Sequence, residues 1–387
     1  MGALIRQYLV LWRHSWRPGH AGRAAGVPLR RWLVLLVFWP LFTALQLLNG
    51  AALCLDHWLF PGFRKVAVRQ PLFVVGIPRS GTTFLHRLLA GDRQRFTTPA
   101  LWELIFAPSI VQRRFWRAVG RLDRILCGGR VGRALRAVER RLLGGLDDVH
   151  QTGLWDAEED YLALLPFLGC FLLVLVAPHP LLWRLTEADR CLPEAEKKRL
   201  MRAYRRALQR HLYVHGEHRT YLSKNPSFTP FIETLAKEFA DARFIGCLRN
   251  PSAAVPSQIN AMVIGAALID GHDTAAYWRE RFFEMLEYYY RHLLDTFDAM
   301  PGPRRALSPM ERLSAEPLAT VTGFYQRFGW TPSPAYLTYL AAEQERARAY
   351  RSGHQYSLQG LGVDPGALHR RFAPVYQRFG YPMDTTD

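Results

Sequence analysis

Hydrophobic and polar positions divide the chain into two unlike parts. Near the start, Trp32 to Leu55 runs for 24 positions without a charge. As a helix that is long enough to span a hydrocarbon core. Arg23, Arg30 and Arg31 precede the run and Arg64, Lys65 and Arg69 follow it. Basic flanks of this kind are both held on the cytoplasmic side. Pro40 lies inside the run and would kink or split a helix. The pattern predicts a re-entrant or interfacial hairpin rather than one crossing. A helix pair buried against the main domain is the competing reading.

From Pro71 onward the periodicity becomes that of an α/β protein. Leu72-Phe73-Val74-Val75-Gly76 is a short apolar run that ends in a glycine-rich turn, which predicts a buried parallel strand. Phe84 to Leu89 carries an apolar helical stripe. Arg243 to Leu248 predicts a second buried strand behind a helix over Thr229–Phe239, and Thr220 to Leu222 a short third one. Leu200, Tyr204, Leu208 and Leu212 share one face of a helix over Glu194–Leu212, with Arg199, Arg202, Arg206 and Arg210 on its solvated side. Ala275 to Phe297 predicts an aromatic-rich core helix, and Val131 to Leu143 a basic amphipathic one. Tyr161 to Leu185 is apolar but broken by Pro166, Pro178 and Pro180, so it reads as a buried or membrane-facing lid. The tail from Pro332 reads as helix and loop. The expected architecture is therefore α/β: a P-loop-like parallel sheet flanked by helices over residues 71–387, preceded by a hydrophobic, membrane-associated helical segment over residues 1–70.

Charge and cysteines change this picture modestly. The 387 residues carry a formal net charge of +17. That balance favours polyanionic partners, nucleic acid, anionic lipid or phosphorylated ligands, without choosing among them, unless it is only an arginine-rich composition. The five cysteines form no CxxC pair and none has a histidine at metal-ligand spacing. A reducing compartment and the absence of a metal site are expected.

The chemistry sits in Gly76-Ile77-Pro78-Arg79-Ser80-Gly81-Thr82-Thr83. A loop of small residues between a buried strand and a helix start turns backbone N–H groups inward and seats a phosphate-like anion. The spacing is that of a P-loop, but Thr82 stands where a nucleotide triphosphatase has lysine. The lysine serves the β- and γ-phosphates of a triphosphate, so its absence argues for a shorter anionic group. Arg79 supplies a planar, fixed positive charge within the loop.

With Phe84-Leu85 after it, the loop resembles the PRSGTT pattern of the PAPS-dependent sulfotransferases, and the resemblance reaches in outline from Pro71 to Tyr381. The family's second donor motif is an arginine at a strand end with a serine eight residues on; here these are Arg249 and Ser257. The resemblance implies that PAPS is the donor co-substrate. Arg79, Ser80, Gly81, Thr82 and Thr83 would hold its 5′-phosphosulfate, and Arg249 and Ser257 its 3′-phosphate. Arg351, in Arg351-Ser352-Gly353-His354, would belong to a loop covering the donor. It further implies Glu103 as the base for the attacking group and Lys224 as the cation at the bridging oxygen, with no metal. His150 and the acids Asp156, Glu158, Glu159 and Asp160 are expected either to position the acceptor or supply an alternative base or, more simply, to cap the helix at Tyr161. The acceptor would be a hydroxyl or amine, with the hydrophobic N-terminus favouring a lipid or other amphipathic molecule. An anionic membrane surface is the expected partner and nucleic acid is not. The catalytic domain would face the cytoplasm, with a Golgi-luminal domain as the other topology. A P-loop small-molecule kinase and a non-catalytic membrane-associated binding protein are the competing functions.

Overall fold

Five short strands form the sheet: β1 (Leu72–Gly76), β2 (Phe96–Thr97), β3 (Thr220–Lys224), β4 (Arg243–Leu248) and β5 (Arg305–Pro309). A computed structural model describes residues 2–17, 27–143, 153–271, 274–349 and 364–382. All four strand pairs are parallel, in the order β2-β3-β1-β4-β5. β1 is central: Leu72 is level with Leu222 of β3 on one side and Arg243 of β4 on the other. Every residue of β1 is buried, as a strand covered on both faces requires.

Alternation along β1 feeds two cores. Leu72 and Val74 point to a layer with Leu85, Ile245, Val321 and Tyr325. Phe73 and Val75 point to a larger layer that includes Tyr204, Phe244, Trp278 and Phe297. The helix Glu194–His215 buries Leu200, Tyr204, Leu208 and Leu212 in that second layer, as its apolar stripe predicts. Tyr161, Leu164, Val174 and Trp183 are buried in it too, so the proline-broken stretch is core. It is built of short 3-10 turns, Asp160–Phe167 and Phe171–Leu175, followed by a four-residue helix.

The N-terminal segment departs from expectation. Leu29–Leu59 is one continuous helix with Pro40 inside it. The first helix, Gly2–Ser15, folds back on it. Trp39 donates its indole N–H to Ser15 Oγ at 2.9 Å, and the rings of Tyr8 and Trp39 meet edge to face. Buried polar groups tie the long helix to the rest of the chain. Arg31 pairs with Asp270 and donates to the Val176 carbonyl. Asp56 pairs with Arg210 at 2.7 Å and accepts from the N–H groups of Ile110 and Val111, the start of helix Ile110–Cys127. Arg210 is thus a buried ion-pair partner and not part of a solvated face. Leu29–Leu59 and Pro251–Asp270 are both long and apolar enough to cross a membrane by length and composition.

Candidate active site

The carboxyl ends of β1, β3 and β4 open on the same edge of the sheet, the place where ligands enter parallel α/β folds. From β1 the chain turns sharply. Gly76 adopts φ 124°, and a Cβ there would lie 2.1 Å from the carbonyl oxygen of Cys247, so only glycine lets β1 run this close to β4. Thr229 clamps the turn. Its hydroxyl accepts from Gly76 N–H at 2.8 Å and donates to Gly76 C=O at 2.7 Å.

Beyond the turn, Arg79 is held at φ 65° and Gly81 at φ 81°. A left-handed conformation costs an arginine roughly 1–2 kcal/mol. The surrounding contacts hold it there: Ser80 donates its hydroxyl to Ile77 C=O, and Arg249 donates to the Arg79 carbonyl at 3.3 Å. Gly81 then caps helix Thr82–Ala90, whose first turn has no acidic side chain. The open N–H groups and the dipole of that first turn form a seat for an anion.

Arg249 and Ser257 lie next to the loop, both in contact with Arg79. Arg249 follows β4, and Ser257 is buried in helix Pro251–Asp270. Asn250 caps that helix by accepting from Ser252 N–H at 2.9 Å. Tyr290 donates to the Arg249 carbonyl at 2.6 Å and fixes the strand end. The Arg79 side chain reaches across to Ser257 Oγ at 3.1 Å. Arg79, Arg249 and Ser257 therefore form one corner, although 178 positions separate Arg79 from Ser257.

Lys224 ends β3 and is almost fully buried. Its Nζ lies 3.1 Å from Glu158 Oε1, 3.3 Å from Glu159 Oε1 and 3.5 Å from Thr83 Oγ1. Burial works against its charge, but the two carboxylates win and raise its pKa above the usual lysine value. It stays an ammonium at the foot of the anion loop. The acids were expected to cap the following turn. Instead, the turn Asp160–Phe167 receives no side-chain cap, and Glu158 and Glu159 face Lys224. Asp160 accepts from Tyr204, from Tyr221 at 3.1 Å and from Ser223 at 2.8 Å. Full burial raises its pKa to about 6 despite those three hydroxyls.

Glu103 occupies a different setting. It sits at the third position of helix Leu101–Ile105 and accepts from the Ala100 N–H at 3.2 Å. His215 lies 2.7 Å from its Oε1, Arg113 3.8 Å and His211 4.0 Å away. Burial alone would raise its pKa, but Arg113 and the hydrogen bond from His215 push it far below the ordinary carboxylate range. Glu103 is thus a capping, ion-paired carboxylate.

The same cluster bears on metals. His211 and His215 are four apart on one helix, and with Glu103 their ligand atoms fall within 4.8 Å of one another. That grouping escaped the sequence reading because Glu103 joins from a distant helix. Its fit to a cation is poor: the buried Arg113 guanidinium already faces Glu103 and lies 3.4 Å from His211 Nδ1. His211 Nε2 is engaged with Thr97 at 2.8 Å. His150 and Arg351 lie outside the described residues.

A strand, a turned loop and a helix start at the carboxyl edge of a parallel sheet, with two arginines converging on the loop, define the class: an α/β protein with a five-stranded parallel sheet flanked by helices. The chain belongs to the sulfotransferase family, whose sequence pattern matches residues 71–139 and 176–333. Two solved structures share the fold. Sulfotransferase STF9 from Mycobacterium avium is 20% identical, with a TM-score of 0.70 over 96% of this chain and 93% of that one. Sulfotransferase STF1 from Mycobacterium tuberculosis H37Rv is 20% identical, with a TM-score of 0.64 over 95% of this chain and 92% of that one. No curated protein matches the chain.

Proposed function

We propose that this sulfotransferase moves a sulfuryl group from PAPS to a hydroxyl or amine of its acceptor. The observation that carries the reading is the buried Lys224 ammonium, set between Thr83 of the anion loop and the Glu158–Glu159 pair. Sulfuryl transfer breaks the bond between sulfur and the bridging oxygen and leaves charge on the departing phosphate. A cation fixed beside the loop stabilises that charge as it develops. The loop N–H groups from Ser80 to Thr83 take the 5′-phosphosulfate. Arg249 and Ser257, with Arg79 beside them, take the 3′-phosphate, for which an arginine fork is well suited.

Glu159 is our choice of base. Its carboxylate is the more exposed of the pair, 18% against 8% for Glu158. The Glu158 carboxylate additionally accepts from the Glu159 N–H at 2.9 Å, which suits it to hold Lys224 in place. As donor engages Lys224, the Glu159 carboxylate is released to take the acceptor proton. Glu103 has its carboxylate committed to His215, Arg113 and the Ala100 N–H, so it is assigned a positioning role.

Thermal unfolding with PAP, ADP and ATP tests the donor, because a ligand selective for the folded state raises stability by mass action. The reading expects stabilisation by PAP that Arg249→Ala abolishes. Stabilisation by ATP alone would turn the assignment to the kinase reading. Stabilisation by PAP without any transfer of labelled sulfate to hydroxyl or amine acceptors would turn it to a binding protein.

A further inference from the structure

Large apolar side chains exposed to solvent are concentrated in the first third of the chain. Among the described residues, the exceptions after residue 140 are Trp155, Leu172, Ile264, Leu268 and Leu337. The remainder lie chiefly on the three long elements that lead into and follow the anion loop.

The helix Leu29–Leu59 has two opposite stripes. One, through Leu35, Trp39, Phe42 and Ala52, is buried against the domain. The other, through Leu33, Leu36, Leu41, Leu47, Leu55 and Trp58, falls on the opposite side of the helix and is exposed, Trp58 by 85%. At its amino end Trp12, Trp16 and Trp32 line an apolar groove with Arg13 and Arg17. At its carboxyl end it is latched to the next element: Gln112 donates to Asn49 Oδ1 at 2.8 Å, and Asp56 holds the first N–H groups of Ile110–Cys127.

That next element is a helical hairpin, Ile110–Cys127 and Arg130–Leu143. Only Ile110, Gln112 and Arg113 of the first helix are buried. Phe115, Trp116, Ile125, Leu126, Leu135 and Val138 are exposed, Ile125 by 77%. Residues 110–143 contain ten arginines and two acids. Both acids are turned to hydrogen bonds within the protein: Asp123 accepts from Val131 and Gly132 N–H, and Glu139 accepts from Leu154 N–H. Arginine therefore dominates the charge of the hairpin, beside an apolar stripe, which is the composition of helices that lie in the interface of an anionic bilayer.

We propose that helix Leu29–Leu59 and the hairpin 110–143 form one docking face that seats the protein on the surface of a membrane containing anionic lipids. The long helix lies along the interface and does not cross it. A crossing would strip the domain of the Arg31–Asp270 and Asp56–Arg210 pairs and carry four buried charges into lipid or leave them unpaired. Charge selects the occupant: a second copy of this chain would bring the same arginines against these. The hairpin also reaches the active site, since Glu139 binds the start of the loop that presents Glu158 and Glu159. A molecule held at the membrane surface is thus delivered beside the proposed base.

Co-sedimentation of the full chain with phosphatidylcholine vesicles and with phosphatidylcholine–phosphatidylglycerol vesicles tests this, independently of the donor assignment. The docking face requires pelleting with the anionic vesicles, weakened by salt. Arg121→Glu with Arg124→Glu and Arg133→Glu is expected to lower the bound-to-free ratio at least about tenfold. Ile125→Asp with Leu126→Asp does the same, with unchanged circular dichroism and thermal unfolding. Brominated acyl chains are expected to quench tryptophan fluorescence, with Trp58→Phe reducing the quenching. Equal recovery in the supernatant with both vesicle types overturns the proposal. So does vesicle binding that neither set of variants alters, or a concentration-dependent dimer that the Ile125 and Leu126 changes dissociate while vesicle binding is absent.

Discussion

The Nζ of Lys224 lies 3.1 Å from the carboxylate of Glu158, although 66 positions separate the two residues. β3 carries the lysine to the edge of the sheet, and the Asp160 anchor brings the acids down to meet it. This pair joins the anion loop to the proposed acceptor side of the site.

Removing the lysine separates chemistry from stability. Lys224→Met is expected to lower kcat by about 10²–10³-fold, as loss of a fixed charge at the developing anion does. It also leaves the buried Glu158 and the half-buried Glu159 without their counterion, a loss of about 3 kcal/mol. Adding Glu158→Gln to the same chain is expected to recover stability in urea unfolding but not turnover. Recovery of both would place Lys224 outside the reaction.

The two candidate carboxylates make opposite predictions. Glu159→Gln is expected to lower kcat by about 10²–10⁴-fold while PAP still raises the thermal midpoint. Glu103→Gln is expected to keep most of the turnover and to lose about 1–3 kcal/mol of stability, because the amide keeps one oxygen acceptor but gives up the negative charge that faces the buried Arg113. Single-turnover rates of the two variants with saturating PAPS decide between them. Loss of turnover in Glu103→Gln alone would restore that residue as the base.

Asp160 imprints a pH dependence. Its folded pKa, about 6, lies above the ordinary value of 3.8, so the folded state holds the proton more tightly than the unfolded chain. Its contribution to stability is fully present below about pH 4 and is lost as the pH rises through about 6, by on the order of 2–3 kcal/mol. Glu103 acts in the other sense. Its lowered pKa gives stability that is present above the unfolded value and lost as the solution is acidified. Urea unfolding at intervals between pH 4 and 7 is expected to show a smaller fall in stability for Asp160→Asn than for the parent chain. Parallel curves would mean that the proton is not held there.

Gly76 sets the approach of β1 to β4. A methyl group would meet the Cys247 carbonyl at 2.1 Å, and that atom is backbone with no freedom to swing away. Gly76→Ala is expected to cost about 3 kcal/mol or more and to abolish stabilisation by PAP. Gly302→Ala, where nothing lies within 4 Å of the added carbon, serves as the control and is expected to be near neutral.

The anion loop was readable because its parts are contiguous: strand, turn residues and helix start follow one another from Leu72 to Leu89. The parallel sheet followed from short apolar runs, while Arg249 and Ser257 came from the resemblance to a family motif, an arginine after a strand and a serine in the helix that follows. What was not readable depends on contacts across long separations. Arg210 has the spacing of a solvated face and is buried only because Asp56, 154 positions earlier, arrives beside it. Glu158 and Glu159 read as helix caps until β3 brings Lys224 to them. Pro40 was expected to break its helix, yet the helix continues through it, packed on one side by Leu35, Trp39 and Phe42. Pattern shows which face of an element is apolar; only the assembled fold shows which charge meets which.

The ties made by Asp56 and Arg31 have a practical meaning for anyone trimming the protein. A chain cut at residue 70 would lose the Asp56 carboxylate that pairs with Arg210, the Arg31 guanidinium that pairs with Asp270, and the acceptor of the Ile110 and Val111 N–H groups. The boundary that looks natural in the sequence, between a greasy leader and an enzyme, is crossed by buried ion pairs and hydrogen bonds. Such a fragment is expected to express as insoluble material even though every residue proposed to touch the donor is still in it.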